Sequence, residues 1–164
     1  MTAPRRDLRL ITFRAGPETF VLDIMAVRQI IPYAGTTSVP TAPDFVEGII
    51  VARNEVIPVV DLRARLYPRM SHSPHSLILI TRSMGGVIGL RVDDVRRIIT
   101  ASPDSLLPPP PLIGGVRGDL LIAIIPSGDE VFLLIDLEAV LTEEEKGELS
   151  KARETMNERR NDEG

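Results

Sequence analysis

The chain repeats itself. Residues 8–31 (LRLITFRAGPETFVLDIMAVRQII) and 77–99 (LILITRSMGGVIGLRVDDVRRII) share one apolar pattern. A gap of one residue near Gly85 lays Leu22, Ile24, Val27, Arg28, Ile30 and Ile31 on Leu90, Val92, Val95, Arg96, Ile98 and Ile99. Further on, VIPVVDLRARL (56–66) is echoed by VFLLIDLEAVL (131–141). The echo keeps its order, so each half of the chain carries one β-rich unit. Two such units, too small to bury their own faces well, are expected to fold as two barrels or sheets around a shared core.

The 164 residues fit one domain, and 43% hydrophobic against 26% charged residues describes a globular chain. A net charge of −4 leaves no basic stripe to neutralise phosphates, which argues against nucleic-acid binding. With no cysteine, disulfides, thiolate metal sites and cysteine nucleophiles are excluded. The start, MTAPRRDLRL, has no apolar core of signal-peptide length, and an apolar run such as LLIAII (120–125) falls far short of a membrane span. A soluble, cytoplasmic protein without membrane insertion is expected.

Alternation marks the strands. Leu8–Phe13, Thr19–Asp23 and Arg28–Ile31 read as extended, with Gly16-Pro17-Glu18 as a turn and Asp23 as the cap of a single helical turn over Ile24–Val27. Two prolines stiffen the connector 39–44. Val46–Ala52 and Glu55–Asp61 form a hairpin around Arg53-Asn54, where Asn accepts a left-handed conformation. In the second half, Leu77–Thr81, Val87–Val92 and Arg96–Thr100 are strands, and Ile113–Ile125 with Glu130–Asp136 makes the last hairpin. Between them SPDSLLPPPP (102–111) is a stiff surface connector or a preformed contact ledge. Asp61 and Asp136 close matching strands and read as caps, Asp93-Asp94 as solvent-facing, and the charged stretch from Thr142 as a solvated helix fraying into a tail.

The run VLDIMAVRQII, SVPTAPDFVEGII, VARNEVIPVVDLR, VIGLRVDDVRRII, VFLLIDLEAVL resembles the CheW family of bacterial chemotaxis adaptors, in order, over about residues 8–141. The resemblance implies an all-β fold of two intertwined five-stranded Src-homology-3-like barrels, with residues 1–7 as an arm and 142–164 as a charged helix and tail. It also implies a non-catalytic adaptor joining the cytoplasmic tip of methyl-accepting chemoreceptors to the regulatory domain of a CheA-type histidine kinase, in chemotaxis or an accessory chemosensory system. Recruitment to receptor arrays at the inner face of the membrane follows from that role.

Carried over by position, the receptor-binding residues are Val27, Gln29, Gly48 and Arg53. The kinase-binding residues are Ile31, Thr36 and Val39 on one edge, with Ile31 expected to be exposed, and Leu107 and Pro108 at the opposite end. Gly48 suits either a close backbone approach or a β-bulge. Here Gln29 stands where the family often has Glu, and Val51-Ala52-Arg53-Asn54 where it usually reads Asn-Leu-Arg-Gly.

Other chemistry finds little footing. His72 and His75 sit three apart in a Ser/Pro loop without the further ligands a metal site needs, and no phosphate loop or nucleophile elbow is present. The alternative to an adaptor is a ligand-binding or kinase-regulating double barrel not coupled to receptors. Such a protein would show a closed apolar cavity with converging polar groups, an adaptor exposed apolar edges.

Overall fold

A computed structural model describes residues 6–40, 42–67 and 76–163. His72 and His75, and most of the N-terminal arm, lie outside the described residues. From the N-terminus run β1 (Leu8–Ala15), β2 (Glu18–Asp23), a 3-10 turn at Ile24–Ala26, β3 (Val27–Pro32), β4 (Gly48–Ala52), β5 (Glu55–Asp61) and α1 (Leu62–Leu66). The second half supplies β6 (Leu77–Ser83), β7 (Gly86–Val92), β8 (Asp94–Ala101), β9 (Leu112–Ile113), β10 (Val116–Arg117), β11 (Leu121–Ser127), β12 (Glu130–Ile135), α2 (Leu137–Val140) and α3 (Glu143–Glu163).

The two sequence copies exchange strands. One five-stranded sheet runs β11-β12-β2-β1-β8 and the other β4-β5-β7-β6-β3, the same order in equivalent strands. The first hairpin of each copy therefore sits in the barrel completed by the other copy. Each sheet joins its halves through one parallel pair, β12 with β2 and β5 with β7. Both sheets curl into Src-homology-3-like barrels. The register removes the expected gap near Gly85. Ile11 pairs Leu22 and Leu79 pairs Leu90, so both partners advance by 68 (79 less 11, 90 less 22). Even the bulges match: the extra residue falls between Val95 and Ile98 in β8, opposite Ile11 and Phe13, and between Val27 and Gln29 in β3, its equivalent strand.

Swapping leaves these strands buried on both faces, because one face lines its own barrel and the other meets the second barrel. Leu10, Val21, Phe132 and Leu134 fill the first barrel, and Ile57, Val59, Ile78 and Ile80 the second. Ile11, Phe13, Phe20, Leu22, Val60, Leu79, Leu90 and Leu133 make the core between them. Each such side chain, withdrawn from water, is worth roughly 1.5–3 kcal/mol.

Capping followed the sequence. Asp23 accepts from the Met25 amide, Asp61 from Ala64 and Asp136 from Glu138. Three expectations need correcting. Ile113–Ile125 is not one strand: Gly114-Gly115, both with positive φ, turn β9 back on β10, and a 3-10 turn precedes β11. Asp93 does not face solvent. It accepts from the Gly16 amide at 2.7 Å and pairs with Arg63 at 3.3 Å, fastening the crossover between barrels to the β1–β2 turn.

Nor is α3 merely a solvated tail. Thr142 and Glu145 form a capping box, each side chain accepting the other's amide. Arg65 donates to the Val140 carbonyl at 3.0 Å and forks onto Glu145, and Arg153 donates to the carbonyls of Gly85 and Val87. Leu149 and Ala152 are buried beneath. Arg65→Ala is accordingly expected to cost about 1–3 kcal/mol, for loss of charge-assisted bonds shielded from solvent. Urea unfolding checks this, and an unchanged midpoint would show that the clamp holds nothing.

Candidate protein-binding faces

The β4–β5 hairpin closes through Arg53 (φ 51) and Asn54 (φ 62), with Ala52 opposite Glu55. Both central residues are left-handed, as a two-residue hairpin turn of the twist-matched kind requires. Asn tolerates this; Arg does so at a cost of roughly 1–2 kcal/mol. Beneath the turn lies a shallow cleft walled by Arg28, Gln29, Ala52, Arg53 and Glu55, with Ile57 and Ile80 as its floor. The bulge in β3 inserts Arg28 here, and Arg28 pairs with Glu55 at 3.1 Å. Among the described residues no group pairs with the Arg53 guanidinium, which stands exposed. The cleft thus carries one arginine in excess of its carboxylates.

The structure brings Gln29 and Arg53 together and sets the other two receptor candidates elsewhere. Val27 packs against the shared core. Gly48, buried at the start of β4, lies against the 36–37 backbone: a Cβ there would meet Thr36 Oγ1 at 2.6 Å and the Thr37 carbonyl at 2.8 Å. The β4–β5 pairing runs without a bulge, so close approach explains this glycine.

β3 is an edge strand of its sheet, and its side chains alternate. That alternation contradicts the expected exposure of Ile31. Ile31 packs against the second barrel's core, whereas Ile30, pointing the other way, is 40% exposed. Thr36 is half-buried and donates to Glu47 at 3.1 Å, and Val39 is half-buried with its carbonyl accepting from the Ala42 amide. At the other barrel Leu107 bridges Ile124 by two backbone bonds of 2.9 Å with its side chain exposed, and Pro108 is exposed beside it. The Thr37–Ile49 bridge is the equivalent strap in the second barrel. The proline tip is held down, its Pro111 carbonyl accepting from the Gly118 amide at 2.8 Å.

A polar cluster that sequence inspection missed holds the 33–47 connector. Glu47 accepts from Tyr33 Oη (2.7 Å), Thr36 Oγ1 and Arg91 Nη1 (2.7 Å), while the Arg91 guanidinium lies 3.6 Å above the Tyr33 ring. Burial pushes the Glu47 carboxyl up, but the bonds from Tyr33, Arg91 and Thr36 outweigh it and hold the group below its ordinary range. Burial and Glu47 together raise Tyr33. With its folded pKa depressed, Glu47 contributes stability that is complete above its unfolded pKa and is lost as pH falls through the folded value. Glu47→Gln is therefore expected to flatten the loss of stability with acid below about pH 4.5. Unfolding midpoints from pH 7 to pH 3 test this, and an acid limb unchanged in the variant would contradict it.

This architecture defines the class: a strand-swapped double barrel of the Src-homology-3 type. The chain belongs to the CheW-like family, whose domain model matches residues 9–145. It is 31% identical over 140 residues to a probable chemotaxis protein CheW of Rhizobium etli, covering 85% of this chain and 90% of that protein. It is 32% identical over 138 residues to the chemotaxis protein CheW of Rhizobium meliloti, with coverage of 84% and 89%. The crystal structure of the scaffolding protein TtCheW from Thermoanaerobacter tengcongensis superposes with a TM-score of 0.76 at 27% identity, over 88% of this chain and 94% of that one.

Proposed function

We propose that this protein is a non-catalytic adaptor that couples methyl-accepting chemoreceptors to a CheA-type histidine kinase, in the cytoplasm at receptor arrays. The observation that carries the reading is the pairing of two features in the second barrel of a CheW-family chain. The Arg53 turn overhangs an open cleft, and the edge strand β3 presents Ile30 to solvent. A strained, unpaired arginine persists only where the surroundings over-determine it, a pattern that clusters at functional sites, and a guanidinium there can take a partner carboxylate on two bonds. An apolar residue on an unpaired edge is a liability for a lone protein and an asset for one that is covered by a partner.

No helix among the described residues is long and apolar enough to cross a membrane, which agrees with a peripheral place in the array. The ligand-binding alternative lacks support. The apolar hollow under α3, between Ile88, Leu90, Val140 and Leu149, has room for about one water. The roomier cleft at Asp44, Phe45, Glu47, Asp61 and Arg65 is open to solvent and rimmed by charged side chains, not a closed apolar cavity.

Calorimetric titration of the chain with a soluble receptor-tip fragment and with a kinase regulatory domain tests the proposal. Both are expected to bind, and Arg53→Ala to weaken only the receptor arm, by roughly tenfold or more for a charge-assisted contact. An Arg53→Ala protein that binds both partners like wild type would remove Arg53 from the site.

A further inference from the structure

The connector between β3 and β4 carries Thr36 and Val39 of the proposed kinase edge, yet it contributes no named strand. A segment of that kind incurs an ordering cost on binding unless the fold has already fixed it. Here it is fixed. The Tyr33 amide donates to the Ser76 carbonyl at 3.0 Å, and Thr37 exchanges two backbone bonds of 2.8 Å with Ile49. Between these anchors the hydroxyls of Tyr33 and Thr36 both donate to the Glu47 carboxylate. Gly35, at φ 93, reverses the chain between the two donors in a conformation that other residues rarely adopt.

Glu47 is itself held by the scaffold. Its amide donates to the Val59 carbonyl of β5 at 2.9 Å, and Arg91 of β7 meets its carboxylate at 2.7 Å. One side chain therefore ties the connector to two inner strands of the second barrel. With both hydroxyls turned toward it, the connector acquires two sides. Tyr33, Thr36 and Val39 are half-buried, whereas Ala34, Thr37 and Ser38 are exposed. Thr36 has no freedom to turn outward while it bonds Glu47 and lies over Gly48, where a Cβ would meet its Oγ1 at 2.6 Å.

We infer that Glu47 is the positioning residue of the kinase edge. It acts through Tyr33 and Thr36, holding the connector so that Ala34, Thr37 and Ser38, not the Thr36 hydroxyl, meet the kinase regulatory domain. The inference rests on the kinase reading above. It makes Thr36 a support of the contact surface instead of a part of it, because its hydroxyl is committed inward. It also gives the Glu47 cluster a role beyond stability, since a connector ordered before docking binds without first being ordered by the partner.

The test measures binding of wild type, Glu47→Ala, Thr36→Val and Ile30→Asp to the kinase regulatory domain and to the receptor-tip fragment, with amide hydrogen exchange on each free protein. Glu47→Ala is expected to weaken kinase binding by about tenfold, the cost of ordering a released segment, and to leave receptor binding unchanged. Its exchange should rise across residues 33–47 and nowhere else. Arg91 retains Asp61 at 3.8 Å, so this variant buries no lone charge. Thr36→Val, close in shape and lacking the bond to Glu47, is expected to lose kinase affinity alone, by roughly threefold; it carries the test if Glu47→Ala does not fold. Wild-type kinase affinity in both variants while Ile30→Asp is weakened would overturn the positioning role and leave the kinase reading standing. Equal loss of both partners, or exchange raised throughout the barrel, would overturn it too, by showing a residue that serves the fold alone. If wild type does not bind the kinase domain, inference and reading fall together.

Discussion

Phe20→Ala is expected to lower stability by about 3–5 kcal/mol, the range for removing a large aromatic from a packed core. Phe20 is fully buried and stacks on Phe13 at 5.9 Å between ring centroids. Its strand pairs in parallel with β12 through Leu133, and the same cluster holds Val60, Leu79 and Leu90 of the other barrel. A cavity there is felt by both barrels, so the protein is expected to lose them in one transition. With total stabilities near 5–15 kcal/mol, the variant would sit close to unfolding at room temperature. The chain has no tryptophan and two tyrosines, of which Tyr33 reports on the second barrel. Guanidinium titration followed by tyrosine fluorescence and by far-ultraviolet circular dichroism should give coincident curves shifted together. Two separated transitions would refute the shared core.

Ile30→Asp is expected to lower affinity for the kinase regulatory domain at least about 30-fold, the loss of a hot-spot contact worth about 2 kcal/mol, and to leave folding untouched. Ile31 is half-buried against the core of Ile57, Val59, Ile78 and Ile80, so a carboxylate there, as in Ile31→Asp, loses that apolar contact and part of its hydration and destabilises the barrel itself. Binding lost in the Ile31 variant would report damage to the fold; binding lost in a fully folded Ile30 variant reports a face. Surface plasmon resonance on both proteins, with melting curves alongside, separates the two. Wild-type affinity in Ile30→Asp would dismiss this edge as the kinase contact.

The parts legible in the sequence were those written locally. Apolar alternation announced β1 to β8, Asp23, Asp61 and Asp136 announced their caps, and the repeat announced two barrels. What the repeat could not announce was the exchange of hairpins. Pairing of β12 with β2 joins residues more than a hundred apart, and no local pattern encodes such a pairing. The choice between Ile30 and Ile31 was lost for a related reason. In two adjacent isoleucines the period of two is ambiguous by one residue, and a slip of one turns the strand over. The Glu47 cluster draws on Tyr33, Thr36 and Arg91, residues without a common motif, and only the fold gathers them. At the Arg53 cleft the resemblance, not the local pattern, drew attention to the turn. The structure added the left-handed arginine and its lack of a partner.

The central claim is that this chain transmits a receptor's state to a kinase, and reconstitution tests it most directly. Purified kinase and receptor-bearing membranes would be combined with and without this protein, and kinase autophosphorylation followed as attractant is added. The kinase rate is expected to respond to receptor and attractant only when this protein is present, and the response to be lost in both Ile30→Asp and Arg53→Ala. A receptor-dependent rate that is the same with and without the protein, or one unaffected by both substitutions, would contradict it.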